Sequence, residues 1–202
     1  MYIELAEFLV CPAGSDHHPC VVSSDDMKER SVVVGTVGCP TCKAEYPIVD
    51  GIVHFGRDPL LGSDSRSDDM TVEETLDSAV VHPLLAIGDS GGYVVLLGSA
   101  GRVVQDLAAQ LPEVQLVAVN PPPDVHPFSS LSVLRATATV PLKSAMARGV
   151  VVGVEYSRDD WLAEAVRVLI SDSHLVVGGR KVSVPGVAEL AVGEGLWVGQ
   201  KN

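Results

Sequence analysis

The chain has 202 residues, 47% of them hydrophobic and 20% charged, which is enough to bury a sizeable core and rules out a disordered polypeptide. Twenty-six Asp and Glu against 14 Lys and Arg give a formal net charge of −12, which argues against a large nucleic-acid footprint. The excess is spread, with 12 acidic and 5 basic residues in 1–70 and 14 and 9 in 71–202. No apolar run reaches the roughly 18 residues of a membrane-spanning helix. The opening MYIELAEFLVCP carries two acids and no basic stretch, so no secretory leader is expected and a cytoplasmic location is.

All four cysteines, Cys11, Cys20, Cys39 and Cys42, fall within the first 42 residues. A disulfide framework is usually spread through a small fold rather than gathered at one end. Cys39-Pro-Thr-Cys42 is a knuckle whose spacing brings two thiolates to one metal while backbone N–H groups soften the sulfur charge. Cys11 and Cys20 form the other half-site, in a loop longer than a regular CPxC that also offers His17 and His18. Three readings follow: four cysteine ligands, three cysteines with His17 or His18, or a site without metal. Val21-Val22 and Ser31 to Val37 read as two strands joined by a polar turn at Ser23 to Arg30. A two-knuckle zinc ribbon results, small enough that metal binding and folding should be coupled.

Tyr46-Pro-Ile-Val-Asp-Gly-Ile52 follows, with Asp50-Gly51 as a turn pair and Ile48 and Ile52 placed to seal the small core. With Cys11-Pro12 and Cys39-Pro-Thr-Cys42, this stretch resembles the zinc-ribbon family of the tRNA-methyltransferase activator subunit over residues 1–55. The resemblance implies a structural zinc and a ribbon that binds a methyltransferase domain or is fused to one. Four thiolates would leave no open coordination position, so it implies no chemistry at the metal.

Residues 56–70, rich in Gly, Ser and Asp, read as a linker or exposed loop. The organisation expected is a ribbon over 1–56, a linker over 57–70 and an α/β domain over 71–202. Thr71 and Glu74 form a capping box, followed by a helical stripe at Val72, Leu76, Ala79 and Val80 that Pro83 ends or bends. Tyr93 to Leu97 is a strand buried on both faces. After Gly98-Ser-Ala-Gly101 comes a helix with Val103, Val104, Leu107, Ala108 and Leu111 on one face, then a strand at Val114 to Val119 ending at Asn120 and three prolines. Right-handed crossover makes these two strands parallel. Ser132 to Ala136 and Arg148 to Glu155 read as the third and fourth strands. Ser157 and Asp160 suggest a second capping box before a helix bearing Trp161, Leu162, Ala165, Val166 and Leu169. His174 to Val177 is the fifth strand. Ala188–Val192 and Leu196–Gln200 form a closing hairpin.

This order resembles class I S-adenosylmethionine-dependent methyltransferases over 71–202, carried by VVLLGSAG, by AEAVRVLI-SDSHLVV and by the terminal LWVGQK. It implies a Rossmann-like domain with a mostly parallel sheet and a C-terminal antiparallel hairpin. It also implies a cofactor site at Gly98, Ser99, Gly101 and Asn120, because a glycine turn lets backbone approach the ligand. The sequence departs from that family at the places the cofactor demands most. Leu96 stands where an acid is expected, Ala100 and Arg102 where glycines are, and Asn120 where an acid accepts from both ribose hydroxyls. An amide accepts through one oxygen only.

Asn120-Pro-Pro also matches the catalytic tripeptide of amino-methyltransferases, but it follows the second strand rather than the fourth, so a strand-ending turn is expected. Glu155 lacks a second group beside it and reads as a solvated strand end rather than a base. His54, His82, His126 and His174 read as surface or helix-end residues. Arg102 with the amides of Ser99 to Gly101 offers an anion site. Two functions fit these residues. In one, a non-catalytic methyltransferase-fold protein acts as a protein-binding or scaffolding subunit. In the other, an active methyltransferase has an altered S-adenosylmethionine pocket.

Overall fold

The structure, a computed structural model, describes residues 1–14, 16–56, 76–88, 91–179, 181–193 and 195–202. The capping box at Thr71 and the linker at 57–70 lie outside them. In chain order come β1 (Val21–Lys28), β2 (Ser31–Gly38), β3 (Glu45–Val49), β4 (Ile52–Phe55), α1 (Ser78–Leu85), β5 (Gly92–Leu97), α2 (Val104–Gln110), β6 (Val114–Val119) and β7 (Leu131–Ala136). They are followed by β8 (Ala147–Val152), α3 (Asp159–Val168), β9 (Leu169–Gly178), β10 (Val187–Gly193) and β11 (Leu196–Lys201). Short 3-10 turns occupy Ile3–Phe8, Gly98–Val103 and Val154–Tyr156.

The strands form one sheet in the order β1-β2-β3-β4-β7-β6-β5-β8-β9-β11-β10. Neighbours from β4 to β9 run parallel, and both flanks are antiparallel hairpins. Strands β5 to β9 thus have the doubly wound order, with its switch point between β5 and β8. The apolar runs Val94 to Leu97, Val117 to Val119 and Val150 to Val152 are fully buried because cores lie on both faces. One core holds α1 and α2 through Val81, Leu85, Val104 and Leu107. The other holds Trp161, Leu162 and Ala165 of α3 together with Leu5, Leu9, Val37, Ile48 and Phe55. The cysteine-rich segment and the doubly wound segment therefore share a core, and β4 pairs with β7 from Ile52↔Val133 to Phe55↔Ala136.

Local chemistry explains the boundaries. Asp50 and Gly51 turn the β3–β4 hairpin at φ 50° and 77°, as the turn pair predicts. β1 continues through the expected polar turn to Lys28, leaving Glu29 (φ 53°) and Arg30 as the tight turn. In α1 the Asp77 carboxylate accepts from the Ala79 amide at 2.8 Å, and the helix runs two residues past Pro83 before the left-handed Ala86. The fourth strand stops at Val152, and Val154–Tyr156 is a 3-10 turn rather than strand. Ser157 does not cap α3: its hydroxyl donates to the Val154 carbonyl at 2.7 Å. The fifth strand starts at Leu169 rather than at His174, which ends the helix earlier than expected, and it carries an irregularity at Asp172, φ 61°.

Candidate functional site

The sulfurs of Cys11, Cys39 and Cys42 lie within 4.8 Å of one another, with Cys11 and Cys42 3.5 Å apart. Tetrahedral zinc, with Zn–S of about 2.3 Å, places its sulfurs about 3.8 Å apart, so the donor set fits that ion. The second knuckle closes as its spacing requires. Lys43 N–H donates to the Cys39 carbonyl at 2.9 Å, with Lys43 at φ 63°. The Cys42 amide draws the Cys39 thiol down to about 7. In the first half-site Cys11 N–H donates to the His18 carbonyl and Cys20 N–H to the Leu9 carbonyl, folding 9–20 into a loop. Cys20 lies outside the trio but belongs to its surroundings. Burial, then the Cys11, Cys39 and Cys42 thiols, push it up to about 12. The Tyr46 hydroxyl sits 3.3 Å from the Cys11 sulfur, and burial and that thiol raise its pKa. Among the described residues no histidine joins the cluster. His18 lies 3.8 Å from Asp16, and His17 stands at φ 46° with a buried Nδ1 that has no partner.

The second candidate site is the crevice at the carboxyl ends of β5, β6 and β8, where doubly wound sheets take their ligands. Each cofactor residue expected from sequence lies there, and each is engaged by this chain. Gly98 is at φ 61°, and a Cβ on it would meet Glu155 Oε1 at 2.2 Å and the Tyr156 ring at 2.4 Å. Ser99 donates its amide to Glu155 Oε1 and its hydroxyl to Oε2, the latter at 2.7 Å. Gly101 is backed by Pro121, 2.6 Å from where a Cβ would stand. Asn120, at φ 52°, donates Nδ2 to the Ala136 carbonyl at 2.7 Å and accepts the Ala136 amide on Oδ1 at 2.8 Å. The β5 and β8 loops are joined directly by Gly153 N–H to the Leu97 carbonyl at 3.0 Å.

Tyr156 completes this arrangement. Burial raises its pKa, and its ring meets Trp161 edge-on with centroids 4.7 Å apart. Arg102 forms an ion pair with Asp124 at 3.1 Å, so the anion site suggested by its position has an acid of the same chain on its arginine. Of the histidines, His174 Nδ1 contacts the Leu84 carbonyl at 2.7 Å, and His54 lies beside Arg135, with burial and that charge lowering its pKa. Sequence reasoning weighed Glu155 as a base, read it as a solvated strand end, and did not single out Tyr156. The available signal was Gly153, a second glycine placed opposite the Gly98 turn.

The residues define a doubly wound α/β protein extended at its third strand by antiparallel hairpins that carry a thiol cluster. No described protein family and no curated protein matches the chain. Among solved structures it is similar to a SAM-dependent methyltransferase from Aquifex aeolicus, with TM-score 0.47 and 15% identity over 66% of this chain and 93% of that one. It is similar to a precorrin-6y C5,15-methyltransferase from Geobacter metallireducens, with TM-score 0.44 and 15% identity over 55% and 67%. It is also similar to a chain of the complex between the Haloferax volcanii Trm112 methyltransferase activator and a methyltransferase, with TM-score 0.41 and 17% identity over 50% of each chain. It spans about half the length of several other methyltransferases (43–53%). The strand order, not this likeness, defines the fold.

Proposed function

We propose that this chain is a non-catalytic protein of the methyltransferase fold, stiffened by a structural zinc on Cys11, Cys20, Cys39 and Cys42, that serves as a protein-binding or scaffolding subunit. The observation that carries the reading is the state of Asn120. A nucleoside ligand is ordinarily held by an acid at the end of the second strand, whereas the side chain here is an amide whose single oxygen already accepts from the Ala136 amide and whose nitrogen donates to the Ala136 carbonyl. Leu96, at the position of the expected acid, is fully buried and offers no polar group. The binding role is supported by the hairpins. Val21 and Val49 are 59% and 45% exposed on a sheet face where an antiparallel sheet with one wet side ordinarily carries polar residues. Zinc, when bound, neutralises thiolates that otherwise repel one another and ties the 9–20 loop to the 39–42 knuckle.

The test is calorimetric titration with S-adenosylmethionine and S-adenosylhomocysteine. No heat at millimolar ligand is expected, and micromolar binding to the unmodified protein would favour the altered-pocket methyltransferase instead. Elemental analysis of freshly purified protein should give about one zinc per chain, and a clearly substoichiometric value would remove the metal from the proposal.

A further inference from the structure

We propose that Val154–Tyr156 is an internal occupant of the ligand crevice, holding closed a site for a small molecule that joins a carboxylate to a planar ring. The inference rests on the reading above and deepens it, because it assigns the closure to specific side chains. Glu155 supplies the carboxylate: both its oxygens are taken, by the Ser99 amide and by the Ser99 hydroxyl at 2.7 Å. Tyr156 supplies the ring. It lies against Gly98, where its Cδ2 and Cε2 stand 2.4 and 2.6 Å from an added Cβ. Two adjacent residues of the β8 loop thus close on the turn after the first doubly wound strand.

The surroundings are shaped for this occupant. Gly98 and Gly153 both lack the Cβ that would prevent it, since a Cβ on Gly153 would meet Ser99 Oγ at 2.4 Å and Glu155 Oε2 at 2.9 Å. The 3-10 turn satisfies itself through Tyr156 N–H to the Gly153 carbonyl at 2.9 Å and the Ser157 hydroxyl to Val154. It is held from behind by the Tyr156–Trp161 ring contact. A ligand must displace both side chains, so its apparent affinity falls by the fraction of molecules open at any moment. With about 1% open, removing the occupant raises affinity about a hundredfold.

The experiment compares the full-length protein with its Glu155→Ala and E155A/Y156A variants, titrated with S-adenosylhomocysteine by calorimetry. Trp161 fluorescence serves as a second readout, and thermal melts confirm that each variant is folded. Glu155 is exposed, so the single variant leaves the cores intact. A silent wild type with ligand binding in the variants, strongest in the double one, supports the internal occupant. Folded variants that stay silent beside a silent wild type overturn it and leave the non-catalytic reading standing. Micromolar binding by the wild type overturns both.

Discussion

Asn120 shows how a polar side chain at the end of a strand can be committed to its own backbone. Its left-handed backbone, φ 52°, is one that Asn tolerates better than most residues. Its N–H reaches the Leu134 carbonyl at 2.8 Å, and its side chain closes on both backbone groups of Ala136. The amide suits this clasp because it donates and accepts at once. Asn120→Asp retains the shape but sets a carboxylate oxygen against the Ala136 carbonyl, losing one bond and adding repulsion. We predict a loss of about 2 kcal/mol, read as a melting temperature lower by about 4–8 °C for a chain of this size. The restored acid should bring no S-adenosylhomocysteine binding, since its oxygens face Ala136. A bound nucleoside in that variant would show that the acid was all the crevice lacked. That this strand ends in an amide rather than an acid is legible in the sequence. The clasp is not, because it depends on the β6–β7 register between residues 16 apart.

At the scale of elements, α3 owes its position to a tie that crosses the fold. Arg167 donates Nε and Nη2 to Glu164, each at 2.8 Å, and Nη1 and Nη2 to the Leu142 and Val140 carbonyls, each at 2.7 Å. Glu164 accepts from the Val140 amide at 2.9 Å. The same 140–143 segment pairs with the chain entering the cysteine loop, through Val10 N–H to Pro141 and Lys143 N–H to Phe8. Burial opposes ionisation of Glu164, but Arg167 and the Val140 amide outweigh it and hold the carboxyl below its ordinary range. A depressed carboxyl contributes stability above the unfolded value of about 4.3 and loses it as pH falls through the folded one. We therefore predict that Glu164→Gln costs about 2 kcal/mol at pH 7 and that the gap from wild type narrows below about pH 4. Urea titrations at both pH values check this, and a gap that widens with acid would refute it. The helix itself was legible from Trp161, Leu162 and Ala165 at 3.6-residue spacing, all buried in the structure. Its capping was misread because Ser157 has a nearer acceptor in Val154, which exists only once the fourth strand stops at Val152 and the chain turns.

Across the whole molecule, the thiol-bearing hairpins and the doubly wound sheet share one sheet and one core, which bears on whether they unfold as two units or one. Sequence reading separates them at 57–70, because composition shifts there, while the pairing that joins them is long-range and leaves no local mark. Ile52 to Phe55 align with Val133 to Ala136 in parallel register, so the third doubly wound strand is not a sheet edge and its N–H and C=O groups have a partner strand. Leu5 and Leu9 are fully buried in the core that also holds Trp161 and Leu175, and burying each such side chain contributes roughly 1.5–3 kcal/mol. Loss of the hairpins would strip β7 of its neighbour and open that core. We therefore propose that the two parts unfold together and that the metal stabilises both. Cobalt substituted at the thiols gives a charge-transfer absorption that reports on the hairpins, while Trp161 on α3 and Trp197 on β11 are carried by the other part of the chain. The two signals should be lost at one temperature, as a single cooperative transition requires. Cys39→Ser should lower the tryptophan transition along with metal content, because binding free energy at such a site is folding free energy. Cobalt absorption lost well below an unchanged tryptophan transition would mean that the shared sheet carries no cooperativity, and that the hairpins are a separate module docked on an independently stable domain.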